Sequence, residues 1–87
     1  MTQDNESQNQ AAQVVHEVYY GAHKKHVGWV EEGTMLATFQ RKFAEAIGTG
    51  HPAWLEIFSN GKGVTSVLAE PGIPVFTRAV VYNNPIA

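Results

Sequence analysis

The balance between one helical segment and several strand-like segments constrains the fold of this chain most strongly. The stretch "MLATFQRKFAEAIG" repeats apolar residues at helical spacing, which predicts an amphipathic helix of about four turns. No other segment has this periodicity, and one helix can cover only one side of one sheet. The apolar stripe of the predicted helix consists of Leu36, Phe39, Phe43 and Ile47, with Ala46 beside them.

The ends of this helix also have sequence signals. Thr34 follows Gly33 and is a candidate N-cap, because its hydroxyl could accept a hydrogen bond from a free backbone N–H of the first turn. Gly48 is the expected C-terminal stop, and Gly50 and Pro52 reinforce it.

Two segments before the helix have strand character. "VVHEVYY" and "HVGWVEE" are rich in β-branched and aromatic residues, and "GAHKK" between them suits a turn. We therefore expect a β-hairpin. Strict alternation along its second strand would place Val27 and Trp29 on one side, and His26, Gly28 and Val30 on the other.

Three more strands are predicted after the helix. "AWLEIFS" and "VTSVLAE" flank "NGKG", in which Asn60-Gly61 is a strong hairpin signal. "PGIP" interrupts the chain, and "VFTRAVVY" reads as the last strand. The predicted fold is thus α+β, in the order β-β-α-β-β-β, with a mostly antiparallel sheet and the helix packed on one face.

The chain length of 87 residues suits one small domain. We expect a disordered polar arm over residues 1–13, a single α+β domain over 14–82 and a short tail over 83–87. The chain has no cysteine, which excludes a disulfide framework, and no apolar run reaches membrane-spanning length. With no visible signal peptide, a cytoplasmic protein is expected.

Several of the predicted strands are apolar on both sides. Trp54 and Phe58 would face away from Leu55 and Ile57, and the last strand repeats this arrangement. Burying one such side chain contributes roughly 1.5–3 kcal/mol, so a second covered face is favoured over simple exposure, which is itself common in proteins. We predict an interaction face for a second copy or another protein, made of Trp54, Phe58, Phe76, Val80 and Tyr82.

A nucleic-acid-binding accessory protein is the alternative. Its contacts would be Lys24, Lys25, Lys62 and Arg78 together with aromatic residues of the sheet; Lys24, Lys25 and Arg78 are the candidate basic contact. From residue 11 onward the chain has as many acidic as basic residues, whereas nucleic-acid binders usually carry a basic excess.

Catalytic and metal-binding patterns are weak. His23 and His26 could bind a metal ion with Glu17 or Glu31 as a third ligand, but they lie where a turn is predicted. Glu17 and Glu56 each interrupt an apolar stretch. A buried carboxyl group there would have a raised pKa, and a position at a sheet edge or facing solvent is the favoured interpretation. No phosphate-binding glycine motif is present. We predict no enzyme, no metal site and no cofactor.

The element order, with "PGIPV" before the last strand, resembles that of small proteins from actinobacteria and their phages. This likeness lies in element order and implies no site or activity. The function expected from the sequence is a non-catalytic protein-interaction module that self-associates through an apolar sheet face or an edge strand, as in a phage or bacterial accessory or structural protein.

Overall fold

The computed structural model describes residues 12–59, 61 and 63–83. The predicted element order and α+β class are confirmed. The proposed N-terminal arm, apart from the last two of its residues, and residues 84–87 of the proposed tail lie outside the described ranges. The elements are β1 (Ala12–Tyr20), β2 (Lys25–Glu31), α1 (Thr34–Thr49), β3 (Ala53–Ser59), β4 (Gly63–Ala69) and β5 (Val75–Asn83).

The five strands form one antiparallel sheet in the order β4-β3-β2-β1-β5. β1 and β5 pair along their whole length, from Ala12 opposite Asn83 to Tyr20 opposite Val75. β3 and β4 form a continuous hairpin. By contrast, β2 and β3 are joined at a single pair, Trp29 opposite Phe58. The sheet therefore has two limbs: the first limb is β5, β1 and β2, and the second limb is β3 and β4.

The two limbs fold towards each other. In a flat sheet, the edge strands β4 and β5 would lie about 19 Å apart and point the same way, so residues 70–74 would have to cross the sheet and also run back along it. The six Cα–Cα steps from Ala69 to Val75 reach at most about 22 Å, which cannot cover both distances. Moreover, the Tyr20 hydroxyl of β1 donates a hydrogen bond to the Leu68 carbonyl of β4, at 2.5 Å. The sheet is thus coiled, and β3 crosses over β2.

Gly28 makes this crossing sterically feasible. A Cβ atom at Gly28 would lie 2.1 Å from the Phe58 carbonyl oxygen and 2.9 Å from Ile57 Cδ1. No side chain fits at such a distance from a backbone atom, so the close approach of β3 requires glycine at this position.

The core lies between the two limbs and α1. Each limb contributes fully buried aliphatic side chains, and α1 closes the space from the side. Met35, Leu36 and Phe43 of α1 pack partly against this cluster. The buried cluster consists of Val18, Val30, Phe39, Ala46, Leu55, Ile57 and Ala69.

Both predicted helix ends were wrong by one or two residues. Gly33, not Thr34, is the N-cap, and no side chain caps this end. The helix runs through Gly48 to Thr49, and its C-cap is Gly50, which has a φ of 77° and donates its N–H to the Ala46 carbonyl. A glycine ends a helix where it adopts the left-handed conformation, and Gly50 is the one that does so.

The apolar stripe of α1 is rotated relative to the prediction. Ile47 was expected to face the core, but 42% of its surface is exposed. Met35 packs against the core instead, beside the predicted Leu36. The core extends over β2 and the second limb, so the side of α1 that faces both is buried.

A β-bulge in β2 overturns the predicted strict alternation. Val18 pairs with Gly28 and Tyr19 pairs with His26, so Val27 is an extra residue between them. As a result, Val27 packs against the core, and the register places His26 on the side of Trp29. The predicted hairpin is nevertheless present, and its turn is closed by the Lys24 N–H, which donates to the Gly21 carbonyl at 3.0 Å.

Within the residues described above, no helix is both long enough and apolar enough to cross a membrane.

Candidate interaction surface

The side of the sheet that faces away from the core is here called the outward side. The strand registers place all five residues of the predicted interaction face on it. Trp54 is 62% exposed, Tyr82 47% and Phe76 42%, whereas Phe58 and Val80 are half-buried. Large apolar side chains therefore remain open to solvent on this side after the chain has folded.

The coiling of the sheet divides these five residues between the limbs. Phe76, Val80 and Tyr82 lie along β5 at the edge of the first limb, and Trp54 and Phe58 lie on β3 in the second. The two groups are linked by the contact of Phe58 with Trp29 of β2, whose ring centres lie 4.7 Å apart with the ring planes tilted by 38°. The residues that the sequence grouped together thus form two patches on one continuous side of the sheet.

A cavity of about 300 Å³ opens on the outward side of the first limb. Trp29 and Tyr82 supply aromatic walls, and Glu17 and His26 contribute polar groups. This volume is at the lower end of those that hold small molecules. The lining residues are Gln13, Val15, Glu17, His26, Trp29 and Tyr82.

A second depression of about 360 Å³ lies beside the β1–β2 turn, where Lys24, Arg78, Tyr19, Phe76 and Thr77 line it. We call it the basic groove. The Lys24 ammonium lies 5.0 Å from the centre of the Phe76 ring, within the range of a cation–π contact.

The structure thus brings together two of the three residues of the candidate basic contact, Lys24 and Arg78. Lys25 pairs with Tyr20, so the register places it on the other side of the sheet. Lys62, which the nucleic-acid alternative also used, lies outside the described residues.

Glu17 forms the centre of a polar network between β1 and β5. Its Oε1 accepts hydrogen bonds from the Tyr19 hydroxyl at 2.7 Å and from Arg78 Nη2 at 3.0 Å. The Glu17 side chain faces the outward side of the sheet and is 18% exposed, so most of it is covered by its neighbours. The Tyr19 hydrogen bond, with a further contribution from Arg78, lowers the pKa of Glu17 below its usual value of 4.5. Glu56, by contrast, is exposed.

The Tyr19→Phe variant tests this network. Loss of the hydroxyl removes the strongest cause of the lowered pKa, so we expect the pKa of Glu17 to rise towards its usual value. Because the folded-state pKa is lowered, the ionised carboxylate stabilises the fold above about pH 4.5, and this contribution disappears as the pH falls through the folded pKa. A carboxyl ¹³C NMR titration of both proteins measures the change; an unaltered Glu17 pKa in the variant would contradict it.

Among the residues that the structure describes, neither histidine of the first hairpin belongs to a set of possible metal ligands. His23 is exposed in the turn, and the His26 ring packs against Tyr19 with ring centres 5.2 Å apart. In the described part of the chain, no group of three or more histidine, aspartate or glutamate side chains could hold a metal ion.

Sequence reasoning missed the network around Glu17. Alternation along β1 already placed Glu17 and Tyr19 on the same side, which was an available signal. The third member, Arg78, is 61 residues away and meets Glu17 only through the β1–β5 pairing. Comparisons of the chain with protein-family models, with curated proteins and with solved structures gave no match.

Proposed function

We propose that this protein is a non-catalytic interaction module that self-associates through the outward side of its sheet and the edge of β5. One observation carries the proposal. β5 is an edge strand of nine residues with one charged residue, Arg78, and with Phe76, Val81 and Tyr82 exposed. Soluble proteins usually protect a long apolar edge with charges, prolines or a covering element, because it can pair with another strand.

The charge of Arg78 gives this edge little protection. Its guanidinium is drawn towards β1 by the hydrogen bond to Glu17, so the ion pair is completed within the first limb. An edge strand with a neutralised charge is open to pairing with another strand of β-branched and aromatic residues.

The exposed aromatic residues favour the same function. Phe76 and Tyr82 lie near the two ends of β5, and both contribute to the outward side. Burying a fully exposed side chain of this size contributes roughly 1.5–3 kcal/mol, and a partner that covers the exposed 42% of Phe76 and 47% of Tyr82 gains part of this amount from each.

The nucleic-acid alternative receives less support. The basic groove does combine Lys24 and Arg78 with an exposed aromatic ring, as stacking of single-stranded bases would require. However, Glu17 neutralises Arg78, and the numbers of acidic and basic residues are equal from residue 11 onward. The proposal keeps a cytoplasmic setting, based on the cysteine-free composition, and an accessory or structural role in a bacterium or phage, based on element order alone.

Replacing Phe76 with aspartate tests self-association. A charge at this exposed position would have to be buried in the proposed contact, so we expect Phe76→Asp to be monomeric where the wild type forms a dimer or larger species. Light scattering coupled to size-exclusion chromatography, over a concentration series, measures the molar mass.

Ile47→Asp is the matched control, because Ile47 of α1 is also 42% exposed but lies outside the outward side. It should associate like the wild type. A wild-type protein that stays monomeric at every concentration, or a Phe76→Asp variant that still associates, would contradict the proposed function.

A further inference from the structure

We infer that β5 pairs with β5 of a second copy, antiparallel and centred on Ala79, to give a continuous ten-stranded sheet. This inference rests on the proposed function and specifies the geometry of the contact at the β5 edge. The reasons are the length of β5, its sequence around Ala79 and the sides on which its residues lie.

A twofold axis restricts how two β5 strands can meet. In an antiparallel pair, directly opposite residues face the same side of the sheet. The twofold axis must therefore lie midway between two copies of the same residue, and one residue of β5 is directly opposite itself. Antiparallel pairing also keeps the outward sides of both copies together. Parallel pairing about a twofold axis would turn one copy over and place its aromatic side next to the core side of the other.

Of the residues on which the pair could be centred, Ala79 pairs the largest number of β5 residues. It is the midpoint of Val75–Asn83, so all nine residues of β5 find a partner in the second copy. If the axis is moved by one residue along the strand, two residues of each β5 lose their partner in the second copy. An axis at Arg78 would also place two like charges opposite each other, which destabilises a strand pair.

The sequence of β5 is complementary to itself about Ala79. Phe76 lies opposite Tyr82 of the second copy, which makes two aromatic cross-strand pairs on the outward side. Thr77 lies opposite Val81 of the second copy, so the two β-branched residues also pair. Alanine at the axis lets the strands approach without a steric conflict between identical large side chains.

This pairing also has a consequence for the two depressions on the outward side. Phe76 lines the basic groove, and Tyr82 lines the 300 Å³ cavity. Because Phe76 and Tyr82 of different copies are opposite each other, the groove of one copy continues into the cavity of the other. The dimer would carry two such composite depressions, related by the twofold axis.

Cysteine cross-linking tests the register directly, because the chain has no cysteine of its own. In the proposed dimer, two Ala79 positions are directly opposite, with Cα atoms about 4.5–5.5 Å apart, inside the range for a disulfide. In the same register, the Cα atoms of the two Arg78 residues are about 8 Å apart, and so are those of the two Val80 residues. This distance is too long for a disulfide. Ala79 is exposed, so Ala79→Cys should leave the fold intact, as circular dichroism would check.

We would compare Ala79→Cys, Arg78→Cys and Val80→Cys under mild oxidation, by non-reducing electrophoresis and light scattering. We expect Ala79→Cys to form the covalent dimer about tenfold faster than either neighbour, because only this pair satisfies disulfide geometry. Faster cross-linking at Arg78→Cys or Val80→Cys would overturn the register but leave self-association standing. A wild-type dimer with no cross-linking at any of the three would overturn β5 pairing alone. A wild-type monomer at every concentration would overturn both proposals.

Discussion

Replacement of Gly28 by alanine is expected to lower the free energy of unfolding by about 3 kcal/mol. The added methyl group would lie 2.1 Å from the Phe58 carbonyl oxygen, which belongs to the backbone and cannot rotate away like a side chain. Relief requires β3 to move off β2 at the single pair that joins the two limbs. Since a domain of this size has a total stability of only about 5–15 kcal/mol, the loss would be easily measured.

Gly48→Ala is the matched control for this prediction. Gly48 lies inside α1, and an added Cβ meets no atom within 4 Å other than its chain neighbours and the adjacent backbone of α1. Alanine is the better helix former, so this variant should be more stable than the wild type by about 0.5–1 kcal/mol. Urea denaturation of the three proteins gives both changes. A Gly28→Ala variant as stable as the wild type would mean that β3 does not approach β2 as described.

Leu55→Ala is expected to lower the free energy of unfolding by about 2–5 kcal/mol. Leu55 lies on β3 in the second limb, and its side chain is fully buried in the core. Its truncation removes apolar contacts and leaves a cavity that the surrounding side chains can fill only partly.

Trp54→Ala, at the preceding position, removes a larger side chain from the opposite side of the same strand. Because Trp54 is 62% exposed, we expect a change of no more than about 1 kcal/mol. Both variants should be unfolded at low protein concentration, so that self-association does not contribute to the measured stability. A greater loss in Trp54→Ala than in Leu55→Ala would show that the sides of β3 have been assigned the wrong way round.

Local patterns in the sequence were sufficient for most of the secondary structure. The helical spacing from Leu36 to Phe43 predicted α1, and the glycine-containing turns separated the strands of both hairpins. Alternation along β3 correctly separated Leu55 and Ile57 from Trp54, because that strand has no irregularity. These properties depend on neighbouring residues and can be read without knowledge of the fold.

The predictions failed where the outcome depended on a distant part of the chain. The bulge at Val27 moved His26 to the outward side. The neighbouring Gly28 was an available signal, because an isolated glycine in a strand often marks a bulge or a close approach of another backbone. Ile47 continued the helical stripe but remained exposed, because the core lies against a different part of α1. One local prediction also failed: Thr34 had the right side chain for an N-cap, but Gly33 occupies that position.

The sequence by itself thus determined the number, kind and order of the elements, and which residues of the regular strands share a side. These follow from the periods of about two and 3.6 residues that strands and helices impose on apolar side chains. The tertiary structure alone decided the strand order, the crossing of β3 over β2 at Gly28, and the pairing of Glu17 with Arg78. Each of these joins segments that are far apart in the chain, and periodicity contains no information about which distant segments meet.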